Sequence, residues 1–393
     1  MLIRTFFDKV ELHRDDKFVS LRFREPFRVI STSSAHGGLV EHLDAVYNHQ
    51  GCEPSGAHSA DVHAAYRNPA LYDAMLLAEH GLAGAAAAGL GTAANMNNLA
   101  IVEERFRDLC VVALATGGVE GNAARAGDPA ALYEFDGRYE PAGAAEPHGT
   151  INVMIAVNVP MTEGALVRAV MTATEAKAAV LQELSVPSRQ SQKIATGTGT
   201  DQIAVAAPTQ GCRPLVGAGH HTTLGELIGR TVHGAIAETL RRQNGLTPVR
   251  QGSCAVQLAR FGVTPESLQE AVAARLSDPL AALMRPVVGV LDRDPPTVAA
   301  VIGLAHVHDQ TSWGVLPASC WQEMATQHGA LIAMAVSGRS DLFASYRTAL
   351  AGQPQDPTPG GLVGIVAAAL ALGFADKWLR TTERLKRVIE AAD

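Results

Sequence analysis

Three apolar runs limit the folds open to this chain more than any other feature of its sequence. They cover residues 109–115, 151–157 and 203–206, and Asn152 is the only polar residue within them. Such runs, rich in valine and isoleucine, are typical of strands buried on both faces, because strands with one wet face alternate apolar and polar residues. Helical patterns separate the runs. The sequence therefore predicts an α/β fold in which helices cover a sheet.

Shorter patterns predict the elements that precede these strands. Residues 18–23 alternate as a strand does, and residues 28–31 predict a second strand before a glycine turn at 36–38. The segment 81–100 consists mainly of alanine and glycine, with three asparagines near its end. Small residues let a helix lie close to its neighbours, so this segment is expected to form a tightly packed core helix.

Two amphipathic helices are predicted after the second run. One covers residues 224–242, and Thr223 and Glu226 have the spacing of a capping box at its start. The other covers residues 163–184, and Lys177 falls within its apolar stripe. An unpaired ammonium group would be costly there, so we expect Lys177 to be buried or to line a pocket, within ion-pair distance of a carboxylate. The candidate partners are Glu120, Asp128 and Asp201. The alternative is that its four-carbon stem carries the ammonium group past the stripe to water.

The pattern changes after residues 243–248. The remainder of the chain shows helical patterns separated by proline-bearing turns, with few candidate strands. We therefore predict two domains, 1–247 and 250–393, the second an additional, mainly helical region of unknown role. Within it, residues 306–309 alternate as a strand edge does and are expected to form a surface turn.

Composition and charge exclude several classes of partner. The chain has 32 basic and 39 acidic residues, a net charge of −7, so it offers no basic field for nucleic acid. Its best membrane candidate, residues 362–375, is shorter than the ~20 residues of a span and is interpreted as a buried helix. Five scattered cysteines and the charged segment 1–17, which has no apolar core, predict a cytoplasmic protein. Alanine-rich helices and the extra domain make a homodimer possible.

Familiar nucleophile and phosphate-binding motifs are missing. The sequence contains no G-x-S-x-G, no H-E-x-x-H and no G-x-x-x-x-G-K-[ST]. What remains are five polar clusters that combine carboxylates, a lysine, hydroxyls and glycine turns, a set suited to acyl transfer. The clusters are 118–128, 148–152, 174–177, 196–202 and 219–221.

These clusters supply the candidate site. The candidate catalytic residues are Glu120, Asn122, Asp128, Lys177, Thr198 and Asp201. The candidate substrate-binding residues are Gly117, Gly118, Asn152, Glu175, Gly197, Gly199 and His220. Thr198 or Thr200 can act as a hydroxyl nucleophile if a base lies within hydrogen-bond reach, and attack by water is the alternative. The turns at 116–118 and 196–201 are expected to face each other across a cleft and to offer backbone amides to the oxyanion.

Metal ligation is disfavoured. His49, Cys52, His58 and His63 lie near one another in sequence, but their spacing matches no zinc pattern. The segment His306-Val307-His308-Asp309 alternates as a strand edge does, and a surface turn is expected there instead of a metal site. The sequence therefore predicts neither a metal site nor a resident cofactor.

Five long blocks of sequence carry a family resemblance. They are TGGVEGNAARAGDP (116–129), HGTINVMIAVN (148–158), ALVRAVMTATEAKAAVLQEL (165–184), ATGTGTDQIAVA (195–206) and GHHTTLGELIG (219–229). In this order and spacing they resemble the adenosylcobinamide amidohydrolase family, also called CbiZ. The upstream FREPFRVISTSSAHGGL (23–39) is similar to the N-terminal region of that family. The resemblance covers residues 12–242, approximately, and leaves the C-terminal region outside it.

The resemblance implies a role in corrinoid salvage. Family members hydrolyse the amide that joins the aminopropanol arm to the corrin ring of adenosylcobinamide, which gives adenosylcobyric acid and an aminopropanol. Cobalt would then arrive only as part of the substrate. Two alternatives stay open at this point: a hydrolase of the same fold with a different small amide substrate, and a corrinoid-binding protein without catalysis.

Overall fold

A computed structural model describes residues 1–51, 68–143, 149–353 and 356–390, with side chains up to residue 381. The chain divides into two compact units, Met1–Leu246 and Thr247–Asp393. This division lies within four residues of Arg250, where the sequence pattern changes. Whether either unit folds without the other stays a prediction.

The first unit is built on a curled, mixed sheet of nine strands. Its strands are β1 (Leu2–Phe6), β2 (Val10–Asp15), β3 (Phe18–Ser31), β4 (Gly38–Gln50), β5 (Ala87–Thr92), β6 (Ala100–Phe106), β7 (Leu109–Gly117), β11 (Ile151–Val157) and β13 (Gln202–Pro208). The order is β1-β2-β3-β13-β11-β7-β6, and β4 pairs with both β3 and β5. Two small ladders complete the unit, β8 (Ala123–Ala124) with β12 (Gly197–Thr198) and β9 (Leu132–Phe135) with β10 (Arg138–Pro141).

Strand direction brings distant segments together at one edge of this sheet. β11 runs parallel to β13 and antiparallel to β7, so Asn152 pairs with Gln202 on one side and with Thr116 on the other. The end of β7 and the starts of β11 and β13 therefore share an edge. We call this edge, residues 116–118, 149–152 and 196–202, the site edge.

Helices cover both sides of the layered unit. On one face, α2 (Glu163–Glu183) and α3 (Thr223–Asn244) pack on the side chains of Ala115, Val153 and Val205. The opposite face of the same strands packs against β4 and β5, and α1 (Pro69–Glu79) packs outside those two strands. The predicted α/β class and the three predicted buried strands are confirmed.

The predicted core helix over 81–100 is wrong, because this segment contains β5 and the start of β6. β5 runs parallel to β4, with Gly89 opposite Tyr47. The Tyr47 ring lies where a Cβ on Gly89 would stand. The small residues therefore serve close packing of strands and rings, whereas composition alone had favoured a helix.

Smaller differences concern element ends. The two strands predicted before the first glycine turn form one strand, β3, whose pairing with β4 shifts register between Arg22 and Val29. α3 is capped by the hydroxyl of Thr222, which accepts from the amide of Gly225. The predicted capping box at Thr223 is therefore wrong, and Glu226 instead pairs with Arg230 on the helix surface.

The second unit is helical, as predicted. Its helices are α4 (Pro248–Gln251), α5 (Cys254–Leu258), α6 (Pro265–Ala273), α7 (Asp278–Met284), α8 (Val288–Asp292), α9 (Pro295–Ser312), α10 (Trp321–Ser337), α11 (Phe343–Ala351) and α12 (Pro359–Glu390). The segment 306–309 lies inside α9, so the predicted surface turn is wrong. In the described residues one helix segment, Pro359–Thr381, is long and apolar enough to cross a bilayer. Leu362, Ile365 and Leu370 of this helix are buried in the core of the unit, which confirms the predicted buried helix.

Candidate functional site

Lys177 and Asp201 form an ion pair at the site edge. Lys177 projects from α2, and Asp201 immediately precedes β13. The Lys177 ammonium contacts Oδ2 of Asp201, and the two side chains are only 16% and 13% exposed. The expected ion pair of Lys177 with a carboxylate is confirmed, Asp201 is the partner among the three candidates, and Lys177 is partly buried.

Asp201 also holds Thr198. Its Oδ1 accepts hydrogen bonds from the Thr198 hydroxyl at 2.6 Å and from the Ile151 amide at 2.9 Å. Its Oδ2 accepts from the Thr198 amide at 3.0 Å in addition to the ammonium. Both carboxylate oxygens therefore have two donors each. Asp201 fixes Lys177 and Thr198 relative to the start of β11.

Gly197 makes this arrangement possible. A Cβ at this position would lie 2.5 Å from Oδ2 of Asp201 and 3.1 Å from Nζ of Lys177. The backbone of β12 can approach the ion pair only because the residue lacks a side chain. The glycine turn thus has a steric function beside two charged groups.

The two predicted glycine turns both lie at the site edge, on the face of the sheet that α2 and α3 cover. Gly117 lies against Leu240 of α3, and Gly197 lies against Lys177 of α2. Most of their amides, however, are already occupied. The amide of Gly117 donates to the Thr239 hydroxyl at 3.2 Å, and that of Gly118 donates to the Thr150 carbonyl at 2.9 Å. Two of the amides that the first turn was expected to offer to the oxyanion are therefore bound within the protein, and the oxyanion role of the turns stays a prediction.

The second turn keeps one exposed part. Gly199 follows β12 and is exposed. The next residue, Thr200, donates its hydroxyl to the Gly149 carbonyl at 2.8 Å and its carbonyl accepts from the Thr150 hydroxyl at 2.7 Å. These hydrogen bonds hold the turn against the segment that leads into β11. Gly199, next to Thr198 in the chain, is therefore part of a turn that is fixed at both of these bonds.

Asn122 is buried next to the same segment. Its side-chain amide donates to the Gly149 carbonyl, and only 4% of the residue is exposed. Its Oδ1 has no hydrogen-bond partner within the parts of the chain that the structure describes. Asn122 therefore packs at the site edge, and its catalytic role stays a prediction.

Asn152 belongs to a polar network that sequence reasoning missed. Its side chain points between the sheet layers, where its Nδ2 donates to Asn48 Oδ1 at 3.0 Å and to the Gly91 carbonyl at 2.7 Å. Asn48 in turn donates to the Thr116 hydroxyl at 2.8 Å. Asn48, Thr116 and Asn152 are almost fully buried. An asparagine inside an apolar strand run was the available signal, but its partners on β4 and β7 could not be read from one sequence.

The other candidate residues have different surroundings. Asp128 accepts from the Ser188 hydroxyl at 2.6 Å and the Arg125 amide at 2.8 Å. Burial acts to raise the pKa of Asp128, but these hydrogen bonds outweigh it and hold the pKa below its usual value. Glu120 is exposed in the turn after Gly118.

Glu175 pairs with His220 at 2.5 Å on the protein surface. Neither Asp128 nor Glu175 is the partner of Lys177. Their predicted roles, like that of Glu120, stay predictions.

The predicted histidine clusters can be placed only in part. His49 lies on β4 with its Nδ1 3.1 Å from the Tyr72 hydroxyl, whereas Cys52, His58 and His63 lie outside the described residues. In the described ranges, no group of three histidine, cysteine, aspartate or glutamate side chains is arranged to hold a metal ion.

Comparison with known proteins places the first unit in a family. The model of the adenosylcobinamide amidohydrolase family, CbiZ, matches residues 3–248. An uncharacterized protein of Methanocaldococcus jannaschii, MJ1613, is 34% identical over 234 residues, which are 57% of this chain and 82% of that protein.

Two solved structures show weak likeness. The PH0078 protein from Pyrococcus horikoshii OT3 has 11% identity and a TM-score of 0.30, over 59% of this chain and 77% of that one. The L-aminopeptidase D-Ala-esterase/amidase from Ochrobactrum anthropi has 12% identity and a TM-score of 0.26, over 59% and 82%. Neither likeness carries an argument at these TM-scores. The family model, in contrast, matches residues 3–248, which include nearly all of the unit that contains Lys177, Thr198 and Asp201. The chain belongs to the adenosylcobinamide amidohydrolase (CbiZ) family.

Proposed function

We propose that this chain hydrolyses the amide between the aminopropanol arm and the corrin ring of adenosylcobinamide, which gives adenosylcobyric acid and an aminopropanol. The observation that carries the proposal is the joint occurrence of two features in one unit: the family match over residues 3–248 and the Thr198–Asp201–Lys177 cluster. Cobalt enters as part of the substrate, so the proposal needs no resident cofactor.

The cluster supports attack by Thr198. Its half-buried hydroxyl already donates to Asp201 at 2.6 Å, so the carboxylate can take the proton when the oxygen attacks the amide carbon. As the C–N bond breaks, the Lys177 ammonium gives a proton to the leaving amine, and the proton on Asp201 passes to the lysine. Water then hydrolyses the ester on Thr198 and restores the hydroxyl. Asp201 acts in this scheme as proton acceptor and as the group that positions the other two.

Incubation of the full chain with adenosylcobinamide tests the function, with released aminopropanol measured by mass spectrometry. Stoichiometric binding without release would instead support the corrinoid-binding protein. Turnover of small amides but not of the corrinoid would support the second alternative.

Two variants of Thr198 test the nucleophile. We expect Thr198→Ala to lower kcat by at least about a thousandfold, as removal of a nucleophile does, and Thr198→Ser to keep most of the activity. A Thr198→Ala variant that retains a tenth or more of the wild-type kcat would assign the attack to water.

A further inference from the structure

A hairpin with exposed aromatic side chains projects from the first unit. β9 and β10 form a separate two-stranded sheet, and all eight residues of these strands are exposed. Leu132, Tyr133, Phe135 and Tyr139 are between 53% and 69% exposed. An isolated hairpin is marginally stable, and a cluster of exposed large apolar side chains usually marks a binding surface. Packing within the first unit does not explain why these large apolar side chains are present, because they are exposed.

Strand register assigns the aromatic residues to two faces. Tyr133 and Phe135 share one face, with Glu140 and Arg138 opposite them on β10. Their rings are nearly parallel, at 12°, with centroids 6.3 Å apart. On the other face, the Tyr139 hydroxyl donates to Glu134 at 2.8 Å. The first face therefore presents two aligned aromatic rings, and charged groups of both signs lie at its rim.

The hairpin is tethered to the catalytic cluster. β8 pairs with β12, which contains Thr198, and the Ala126 amide then donates to the Thr196 hydroxyl at 2.9 Å. β9 begins six residues after Ala126, and six extended residues span at most about 20 Å. The base of the hairpin is closed by a hydrogen bond from the Ala142 amide to the Ala131 carbonyl at 2.8 Å. Leu132, the first residue of the hairpin, therefore lies no more than about 20 Å from Ala126, which is bonded to the residue that precedes β12.

We propose that Tyr133 and Phe135 bind the corrin ring of the substrate and so select a corrinoid over a small amide. This inference rests on the proposed function. A corrin is a large, partly conjugated ring whose two faces carry axial ligands on cobalt, and flat aromatic side chains can pack against the apolar part of the ring that these ligands leave open. Arg138 and Glu140 at the rim can hydrogen-bond the amide side chains that surround the ring. The hairpin determines specificity and affinity, while the groups that react with the amide are on β12, β13 and α2.

The test compares the two faces of the hairpin. The variant Tyr133→Ser/Phe135→Ser removes the stacking face, and Leu132→Ser/Tyr139→Ser removes similar apolar area from the opposite face. Binding of adenosylcobinamide, and of adenosylcobyric acid, which lacks the scissile amide, is measured by equilibrium dialysis with corrin absorbance as the readout.

We expect the first variant to raise Kd for both corrinoids and KM for adenosylcobinamide about ten- to hundredfold, with kcat within about twofold of wild type. The control should change Kd less than threefold, and thermal melts should show both variants folded. Equal effects from both faces, or none from the first, would overturn the inference. A change of oligomeric state confined to the first variant, seen by sedimentation, would assign the face to a second copy of the chain and also overturn it.

Failure of this inference differs from failure of the proposed function. If the wild-type chain binds adenosylcobinamide but releases no aminopropanol, the function falls and the binding comparison still decides the role of the hairpin. If the wild-type chain hydrolyses adenosylcobinamide and the Tyr133→Ser/Phe135→Ser variant does so with unchanged KM, the proposed function is supported and the inference about the hairpin is wrong.

Discussion

At the scale of single residues, the site depends on the lack of a Cβ at Gly197 as much as on the charged side chains of Lys177 and Asp201. Replacement Gly197→Ala would place a methyl group 2.5 Å from Asp201 Oδ2 and 3.1 Å from Lys177 Nζ. We expect the ion pair to shift and kcat to fall about a hundredfold, because a displacement of about 1 Å in a catalytic group has that effect. Gly164→Ala is the matched control, since nothing lies within 4 Å of its new Cβ. Equal kcat values for the two variants would show that the close approach at Gly197 has no catalytic meaning.

Variants of Lys177 and Asp201 can separate the contribution of this ion pair to stability from its contribution to catalysis. Lys177→Met leaves a largely buried carboxylate without its cation, and we expect the free energy of unfolding to fall by about 2 kcal/mol, less than for a fully enclosed pair. The double variant Lys177→Met/Asp201→Asn removes both charges and should regain part of that loss. Activity should stay at least about a hundredfold below wild type in both. Urea unfolding and aminopropanol release measure the two quantities, and activity that returns with stability would make the lysine purely structural.

Sequence reasoning identified Lys177 because one helix was enough to define its surroundings. The period of the helix places this side chain in an apolar stripe, and a buried ammonium needs a carboxylate. The network of Asn48, Thr116 and Asn152 joins three strands whose pairing depends on the whole sheet, so no local pattern contains it. The partners of the Gly117 and Gly118 amides could not be read from the sequence for the same reason, because Thr239 and Thr150 are both distant from this turn in the sequence.

At the scale of elements, β5 shows how small residues can serve a sheet. Gly89→Ala would force a methyl group into the Tyr47 ring, whose hydroxyl is held by Asp73. We expect the free energy of unfolding to fall by about 2 kcal/mol, as in other overpacked cores. Gly91→Ala on the same strand has no atom within 4 Å of its Cβ and should change it by less than about 0.5 kcal/mol. Urea melts of the two variants check the difference, and equal stabilities would contradict the packing argument.

α9 contains a buried histidine that should make stability depend on pH. His308 packs edge-on against Phe261 and Trp321, and burial lowers its pKa, with Asp309 opposing and Arg260 adding to the shift. A histidine with a lowered folded-state pKa takes up its proton more readily when unfolded. Stability should therefore be lost as the pH falls below about 6.5, the usual pKa of the unfolded side chain.

The control for this effect lies on the same helix. His306 is exposed two residues earlier, so His306→Gln should keep the wild-type pH dependence of the melting temperature between pH 8 and pH 5. His308→Gln should flatten that dependence, although it will lower stability at every pH. A wild-type slope in the His308 variant would show that another group titrates.

At the scale of the whole molecule, the boundary between the units follows a natural helix end. α3 ends at Asn244 and is capped by the left-handed backbone of Gly245, and the Leu246 amide donates to the Leu240 carbonyl at 3.5 Å. The match to the family model ends at residue 248, two residues after Leu246. The change of sequence pattern predicts a boundary here. Composition alone does not show into which hydrophobic core the residues on each side of the boundary pack.

A chain that ends at Leu246 should therefore fold and hydrolyse the substrate. It keeps the sheet, both covering helices and the Thr198–Asp201–Lys177 cluster, and all buried residues of their shared core belong to the first unit. A chain that ends at Ala237 is the control, because it removes the fully buried Leu240 and the Thr239 hydroxyl that holds the Gly117 amide. We expect the longer fragment to be soluble with a cooperative melt and a kcat within about tenfold of the full chain, and the shorter one to aggregate. Aggregation of both fragments would mean that the helical unit is needed to complete the fold of the first, and a soluble but inactive longer fragment would move part of the active site into residues 247–393.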